Sequence, residues 1–356
     1  MRPGEPSSPD SQHIAYYGSV HKVGDELWMW YLGQGEQEDW FQRVCFAKSI
    51  DGYSWEKLAL ALVSYQGNKN NNLIDLSQAS YHVQSLVVFY DPNVAESDRR
   101  FKMAFQSPKY NHDIFVAFSP DGINWTESRN NPVGRYLEIG GGTRFNGTYY
   151  LTGQSFDHPN PARQLITYVS DDFEHWDDSF CIGLNRGDPL YSAYGLNSGK
   201  QVHLGAALWN RGNVIIGFYG KWDGYPSNDR RLASMDLGIA VTNDGLHYRE
   251  PIRNFPIVSA AEDGWAAPPI GDPRVKYPAL MQGQGFENIG DKTLFWYGPW
   301  PEQKSSGVRV ASWKRDQLSY FQVLVIGDHS PRKGRSEKSY VTSAPINLEG
   351  KKYSFS

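Results

Sequence analysis

Five polar or aromatic residues stand at one shared distance before five turn-like sequences of this 356-residue chain. Each lies nine residues ahead of a turn residue, and they are Tyr16, His82, Glu138, His203 and Gln282. Carboxyl and imidazole groups can transfer protons near neutral pH, and both can ligate metal ions. The equal spacing predicts that these side chains meet at one site. The alternative is a water-filled channel that only tolerates polar side chains.

A second set of residues combines carboxylates and a histidine with aromatic rings, in loops that we expect at the same end of the fold. The set consists of Asp39, Trp40, Asp157, His158, Trp222, Asp223 and Trp300. Aromatic rings pack on the C–H faces of sugars, while charged groups bond to sugar hydroxyls. The set, with Gln282, therefore indicates a carbohydrate-binding pocket, although any single loop acid is more often a solvated surface group.

A seven-residue pattern, Ser-x-Asp-Gly-x-x-Trp, recurs along the chain and indicates an internal repeat. Its near-copies begin at Ser49, Ser119, Ser170 and Thr242, and a degraded copy runs from Ser312 to Tyr320. Asp-Gly between β-rich runs is typical of a tight turn, because glycine accepts positive φ and aspartate bonds to its own backbone. We therefore assign the signature aspartates to turns rather than to catalysis.

A second hairpin precedes each signature, so each repeat contains four strands and two tight turns. No amphipathic helix is evident between the repeats, because helical periodicity is missing and glycine and proline recur. Five such units predict an all-β fold, a five-bladed β-propeller of four-stranded antiparallel blades, over residues 12–322. Residues 323–356 form a C-terminal tail that either closes the ring or begins an accessory β-sandwich.

The topology of such a blade separates turn residues from pocket residues. Both hairpin turns lie at the end opposite the start of the innermost strand. The innermost-strand starts and the loops between second and third strands share the other end. Asp25, Asp91, Asp291 and the signature aspartates are therefore excluded from the predicted pocket.

The composition excludes several other classes of protein. The chain has 35 Lys+Arg against 39 Asp+Glu and a formal charge of −4, so it lacks the basic excess that attracts nucleic acid. It has no apolar run of about 18 residues that would span a membrane. Two cysteines, Cys45 and Cys181, are too few for a disulfide framework or a cysteine zinc site. The polar first residues predict a cytoplasmic protein, or a secreted or periplasmic one if a leader has been removed.

The sequence resembles the five-bladed propeller glycosidases, the β-fructosidase, arabinanase and xylosidase group of glycoside hydrolase families 32, 43, 68 and relatives. The shared features are the signatures at Ser49, Ser119 and Ser170 and the first-blade run from Tyr17 to Tyr31. The resemblance covers roughly residues 12–322 and implies a propeller with a carbohydrate substrate.

In that group, three carboxylates opening blades one, two and three act as base or nucleophile, stabiliser and general acid. Only the third-blade acid has a clean match, Glu138. In the first blade Tyr17-Gly18 replaces Asp-Pro, and no acid stands between His82 and Ser85. The missing carboxylate could come from a loop, or the fold could serve a different reaction.

The resulting hypothesis makes Glu138 the general acid of a glycosidase. The partner carboxylate is Asp223, then Asp157 or Asp39, in that order of preference. His82 and His203 could act as acid or base or hold a hydroxyl, and Tyr17 could be a nucleophile.

Two other classes stay open: a non-catalytic carbohydrate-binding propeller, and a polysaccharide lyase with Tyr17 or His203 as its base. No cofactor is required. An axial metal ion could be ligated by His82, Glu138 and His203, although no spacing motif requires one. The sequence leaves the sugar and the oligomeric state open.

Overall fold

The computed structural model describes residues 1–36, 42–76, 82–108, 111–155, 163–186, 200–224, 233–262, 279–300 and 307–318. Over these residues the chain is all-β, as predicted, with short 3-10 helices at Ser97–Arg99 and Ala260–Glu262. Within the described ranges no helix is long and apolar enough to cross a membrane. The predicted tail, residues 323–356, lies outside the described residues.

Antiparallel pairing arranges the strands in consecutive groups, which we number as repeats 1 to 5. Repeat 1 holds β1 (His13–Val23), β2 (Glu26–Gln34) and β3 (Arg43–Ser49). Repeat 2 holds β4 (Ser85–Tyr90), β5 (Phe101–Gln106), β6 (Ile114–Ser119) and β7 (Thr126–Glu127). Repeat 3 holds β8 (Glu138–Phe145), β9 (Thr148–Gln154), β10 (Leu165–Ser170) and β11 (Asp177–Leu184). Repeat 4 holds β12 (Lys200–Asn210), β13 (Ile215–Gly224), β14 (Ala233–Thr242) and β15 (Pro256–Val258). Repeat 5 holds β16 (Ala279–Ile289), β17 (Lys292–Trp300) and β18 (Arg309–Lys314).

The first strand of each repeat lies beside the first strand of the next. β1 contacts β4, β4 contacts β8, β8 contacts β12, β12 contacts β16, and β16 contacts β1. Single parallel bridges, Ser19–Gln284 and Met235–Ala279, join repeats 1, 4 and 5 into one extended sheet. All the first strands therefore share one central region.

Buried hydroxyls link these first strands where backbone pairing between repeats is sparse. The Ser19 Oγ accepts the Val88 N–H at 2.9 Å, and the Ser85 Oγ accepts the Ile139 N–H at 3.0 Å. Both serines are fully buried. Because a buried backbone N–H without a partner costs about 1–3 kcal/mol, these hydroxyls allow neighbouring repeats to pack closely.

Apolar side chains fill the space between neighbouring repeats. Trp30 and Phe46 of repeat 1 belong to one buried cluster with Met103 and Phe105 of repeat 2. A second cluster joins repeats 2 and 3 in the same way. Each repeat thus has two apolar faces and buries them against two different neighbours, which explains why its strands are apolar on both sides.

The signature aspartates form the predicted turns. The Asp51 Oδ1 accepts the N–H groups of Tyr53 and Ser54, both at 2.7 Å. In the third copy, burial works against ionisation of Asp172, but hydrogen bonds from His175 and the backbone lower its pKa to about 2. These carboxylates are committed to their own backbone, as the sequence indicates.

The signature turn also holds the preceding repeat. The Gly122 carbonyl of repeat 2 accepts the indole N–H of Trp125 at 3.0 Å and that of Trp30, from repeat 1, at 2.7 Å. The Gly52 carbonyl of repeat 1 likewise accepts Trp55 at 3.2 Å and Trp296, from repeat 5, at 2.9 Å. The same contact therefore joins repeat 1 to repeat 2 and repeat 5 to repeat 1.

Glycines in β8 allow a close approach of β12. A Cβ on Gly140 would lie 1.3 Å from the Leu204 carbonyl oxygen, so no side chain fits there. On the facing strand Leu204 and Gly205 both have positive φ, 54° and 63°, at a β-bulge. A Cβ on Gly141 would lie 2.2 Å from the Ala206 carbonyl oxygen, so Gly140 and Gly141 are both required by the packing of repeat 4 against repeat 3.

Candidate functional site

Glu138 is the first residue of β8 and is half-buried. The Gln154 Nε2 donates to its Oε2 at 2.5 Å, and the Gln84 Nε2 lies 3.4 Å from its Oε1. Gln154 is the antiparallel partner of Glu138, because the β8–β9 hairpin folds around Asn146-Gly147. Both carboxyl oxygens therefore face amide donors from two different repeats.

The Gln154 amide is itself oriented by repeat 4. Its Oε1 accepts the Leu204 N–H at 3.3 Å, so its Nε2 points toward Glu138. Gln154 is buried. This side chain connects the Glu138 carboxyl to β12 and acts as a positioning residue.

His203 is buried in β12, with 2% of its surface exposed. The Arg163 Nη1 lies 2.8 Å from its Nδ1. A guanidinium can only donate, so Nδ1 is the acceptor, and the neutral ring carries its proton on Nε2. Arg163 also lies over the Trp222 ring, 4.9 Å from the centroid. Trp222 is fully buried, so its ring packs against protein groups rather than opening to a ligand.

Gln282 forms part of the floor beneath this site. Its Nε2 lies 3.1–3.2 Å from the carbonyl oxygens of His203, Leu204 and Gly205. It is 1% exposed and joins β16 to β12. Tyr16 is fully buried nearby, where burial raises the pKa of its hydroxyl well above the ordinary value. Both predicted positions are therefore buried in the central region that the first strands share.

Tyr17 and His82 are both half-buried. Tyr17 packs against a cluster containing Trp222 and Met281, which brings repeats 1, 4 and 5 together. His82 precedes β4, and its pKa is lowered by burial and by the nearby His112. Within the described residues no group of three His, Cys, Asp or Glu side chains could hold a metal ion, so His82 does not form a metal site with the other predicted ligands.

Asp223 lies near the end of β13, within a cluster of charges. The Arg186 Nη2 is 3.1 Å from its Oδ1, and Lys221 pairs with its other oxygen. The buried Arg186 also donates to the carbonyl oxygens of Gln201 and Trp222, at 3.1 and 2.9 Å. The structure therefore places Asp223 in an ion-pair network that joins the end of repeat 3 to repeat 4.

The remaining predicted contacts lie beyond what the structure describes. Asp39, Trp40, Asp157 and His158 fall outside the described residues. Trp300 is the last residue of β17, and the structure describes its backbone.

Sequence reasoning missed Gln84, Gln154 and Arg163. A usable signal existed for Gln154, because folding the hairpin around Asn146-Gly147 pairs it with Glu138. No comparable signal existed for the other two, since both reach the site across a boundary between repeats.

Comparison of the whole fold with solved structures identifies several glycoside hydrolases. A glycosyl hydrolase from Bacteroides ovatus matches with a TM-score of 0.59 and 14% identity, over 88% of this chain and 91% of that one. The chains share one fold. A second match comes from the GH130 family of mannoside phosphorylases, a family described as containing glycoside hydrolases that target β-1,2 mannosidic linkages in Candida mannan. Its TM-score is 0.59 and its identity 13%, over 91% of this chain and 93% of that one. A thermostable family-43 glycoside hydrolase matches with a TM-score of 0.56 and 14% identity, over 88% of this chain and 94% of that one.

These likenesses confirm the resemblance to propeller glycoside hydrolases that the sequence predicts. No protein-family model matches the chain. No curated protein matches it either.

Proposed function

We propose that the protein is a glycoside hydrolase acting on an oligo- or polysaccharide, and that its repeats form a five-bladed β-propeller. The fold proposal is supported by the contact of each first strand with the next, including β16 with β1. The functional proposal rests chiefly on Glu138, a half-buried carboxyl at the start of a first strand that is held by amides from two repeats.

In this proposal Glu138 is the general acid. Gln154 holds Oε2 as a hydrogen-bond acceptor at 2.5 Å. Oε1 has the longer contact, 3.4 Å to Gln84, and is the oxygen assigned to carry the proton. That proton passes to the glycosidic oxygen as the bond between this oxygen and the anomeric carbon breaks, so the leaving group departs as a neutral alcohol.

The second carboxyl group is proposed to be Asp157, with Asp39 as the next candidate. Asp157 follows Gln154 by three residues in the sequence, and three residues of chain span at most about 10 Å. The partner of a glycosidase acid stands about 5–5.5 Å away for retention or about 6.5–9.5 Å for inversion. Asp223 becomes the weaker choice, because Arg186 and Lys221 already occupy its oxygens.

The lyase alternative receives no support at His203. A lyase base needs an unprotonated nitrogen facing the substrate. Arg163 occupies Nδ1 and leaves the proton of the neutral ring on Nε2. Tyr17, half-buried against the cluster that contains Trp222, stays a candidate for contacting the substrate.

The test is a screen of aryl glycosides and of plant, algal and fungal oligosaccharides, with and without inorganic phosphate. The phosphate arm is included because one structural neighbour comes from a family of mannoside phosphorylases. Glu138→Gln removes the proton that the acid supplies and keeps the shape of the side chain. We expect it to lower kcat on unactivated substrates by at least about 100-fold, within the usual contribution of a general acid.

The matched control is Asp25→Asn, the same change at an exposed turn of the opposite end. It should keep full activity. Turnover within about tenfold of wild type in Glu138→Gln would refute the assignment. Saturable oligosaccharide binding without any product would favour the binding-module alternative, and an unsaturated product absorbing near 235 nm would favour a lyase.

A further inference from the structure

A cavity lies at the opposite end of the central region from Glu138. Its volume is about 420 Å³, within the range of small-molecule sites. Every first strand contributes to its wall, through Val20, Val88, Gly142, Leu208 and Gln284. Glu138 begins β8, whereas the cavity is lined by the end of that strand, so the two sites are distinct.

A buried amide closes the inner end of this cavity. The Gln284 Oε1 accepts the N–H groups of Gly142 and Leu208 at 3.1 and 2.8 Å, and its Nε2 donates to the Leu208 carbonyl at 2.7 Å. With Gln282 holding β12 further along the axis, the strands are tied together between the two sites. The cavity is therefore a pocket with its own floor.

Lys102 brings a buried positive charge to the wall of the pocket. It is 5% exposed, and its Nζ donates to the Arg99 carbonyl at 2.9 Å. Among the described residues no carboxylate lies within ion-pair distance of this Nζ. Burial is the largest cause that lowers the pKa of Lys102, and the nearby Asp91 carboxylate opposes it only in part.

Glu287 brings the opposite charge from repeat 5. Its Oε1 accepts the Lys22 backbone N–H at 2.9 Å, and within the described part of the chain no cationic side chain pairs with it. Burial raises the pKa of this carboxyl. The pocket thus contains a buried ammonium and a half-buried carboxylate, and neither forms an ion pair with another described residue.

The rest of the wall does not favour an aromatic stacking site. Trp209 lines the pocket, but Phe286 stacks on one face at 5.3 Å, and the Arg211 guanidinium lies 4.1 Å from the ring centroid. At the rim the Arg144–Asp91 ion pair, at 3.1 Å, is already satisfied. The two unmatched charges are therefore the features left for a ligand to complement.

We propose that this pocket binds a small zwitterion, with the ligand's anionic group on Lys102 and its cationic group on Glu287. A net-neutral ligand suits the pocket, because its lining cations, Lys102 and Arg144, are balanced by Asp91 and Glu287. Each charge gains an ion-pair partner that it lacks in the free protein, which offsets the water that each group has lost. A ligand with one charge would leave the other group unmatched.

The test is isothermal titration calorimetry of the full chain with a series of ω-amino acids, glycine through 6-aminohexanoate, and with the twenty common L-amino acids. We expect at least one compound to bind with Kd below about 1 mM. N-acetylation or amidation of that compound should each weaken binding at least about tenfold, because each removes one charge. Lys102→Met and Glu287→Gln should each weaken binding of the unmodified compound by at least about tenfold.

Matched controls are Lys69→Met and Glu56→Gln, the same changes at exposed positions, and both should bind normally. Glu138→Gln should also bind normally, which separates this proposal from that of glycosidase activity. The N-acetylated and amidated compounds test whether both ligand charges are required, even if a pocket variant fails to fold. Absence of binding by every compound at about 10 mM would overturn the proposal, as would binding that survives loss of either charge.

Discussion

Replacing the tryptophan that donates to the signature turn should weaken the junction between two repeats. Trp30→Phe removes the 2.7 Å bond to the Gly122 carbonyl from a fully buried side chain. The carbonyl keeps its bond from Trp125, so no acceptor is left unsatisfied. The lost bond costs about 1 kcal/mol and the smaller ring another 1–2, so we expect a loss of about 2–3 kcal/mol in the free energy of unfolding. Trp296→Phe should cost the same, because it donates to Gly52 in the same geometry.

The assay is urea unfolding followed by far-ultraviolet circular dichroism, which does not depend on the tryptophan signal. Trp28→Phe is the matched control, since it lies on the same strand but its indole bonds to the part-exposed Glu26 carboxylate. It should cost about 1 kcal/mol or less. If Trp296→Phe costs no more than this control, the bond from Trp296 to the Gly52 carbonyl does not stabilise the junction of repeats 5 and 1, and the proposed ring closure loses one of its supports.

Three further predictions concern the site, the pH response and the packing of the first strands. Gln154→Leu removes the amide that orients Glu138, so kcat on the best substrate should fall about 10–100-fold with KM little changed, as measured by initial rates. Burial lowers the pKa of His13 from 6.5 to about 4, so its contribution to stability is complete above pH 6.5 and is lost as the pH falls toward 4. His13→Gln should therefore flatten the stability profile between these values in urea titrations. Gly140→Ala should prevent folding or cost more than about 3 kcal/mol, whereas Gly147→Ala, at an exposed turn, should cost about 1 kcal/mol by thermal denaturation.

Local chemistry explains what the sequence predicts correctly. The Asp51 turn and the Asn146-Gly147 hairpin depend on residues two or three positions apart, so their structure is encoded in short segments. Counting back from such a turn locates the start of β8 at Glu138, because a strand advances by a fixed distance per residue.

Contacts between repeats explain what the sequence does not predict. The sequence around Asp223 is typical of a loop with an exposed acid. Its ion-pair partner, Arg186, comes from the preceding repeat, and no local sequence pattern predicts that these two residues pair. Trp222 has the appearance of a sugar-stacking residue until Arg163 covers its ring. Both cases depend on which side chains neighbouring repeats bring together.

The shared turn carbonyl has a consequence for how such a chain could be recombined. In the third signature Phe173 takes the place of glycine at a positive φ of 73°, and the ring of Phe89 from the preceding repeat packs against it at 5.1 Å. At Gly52 and Gly122 a tryptophan of the preceding repeat donates to the turn carbonyl. At Phe173 both the turn residue and the aromatic residue that contacts it are different. A repeat is therefore not an interchangeable module. A chimaera in which one repeat is transplanted should assemble only when the junction pair is carried across intact, so the natural crossover point lies within a repeat rather than between repeats.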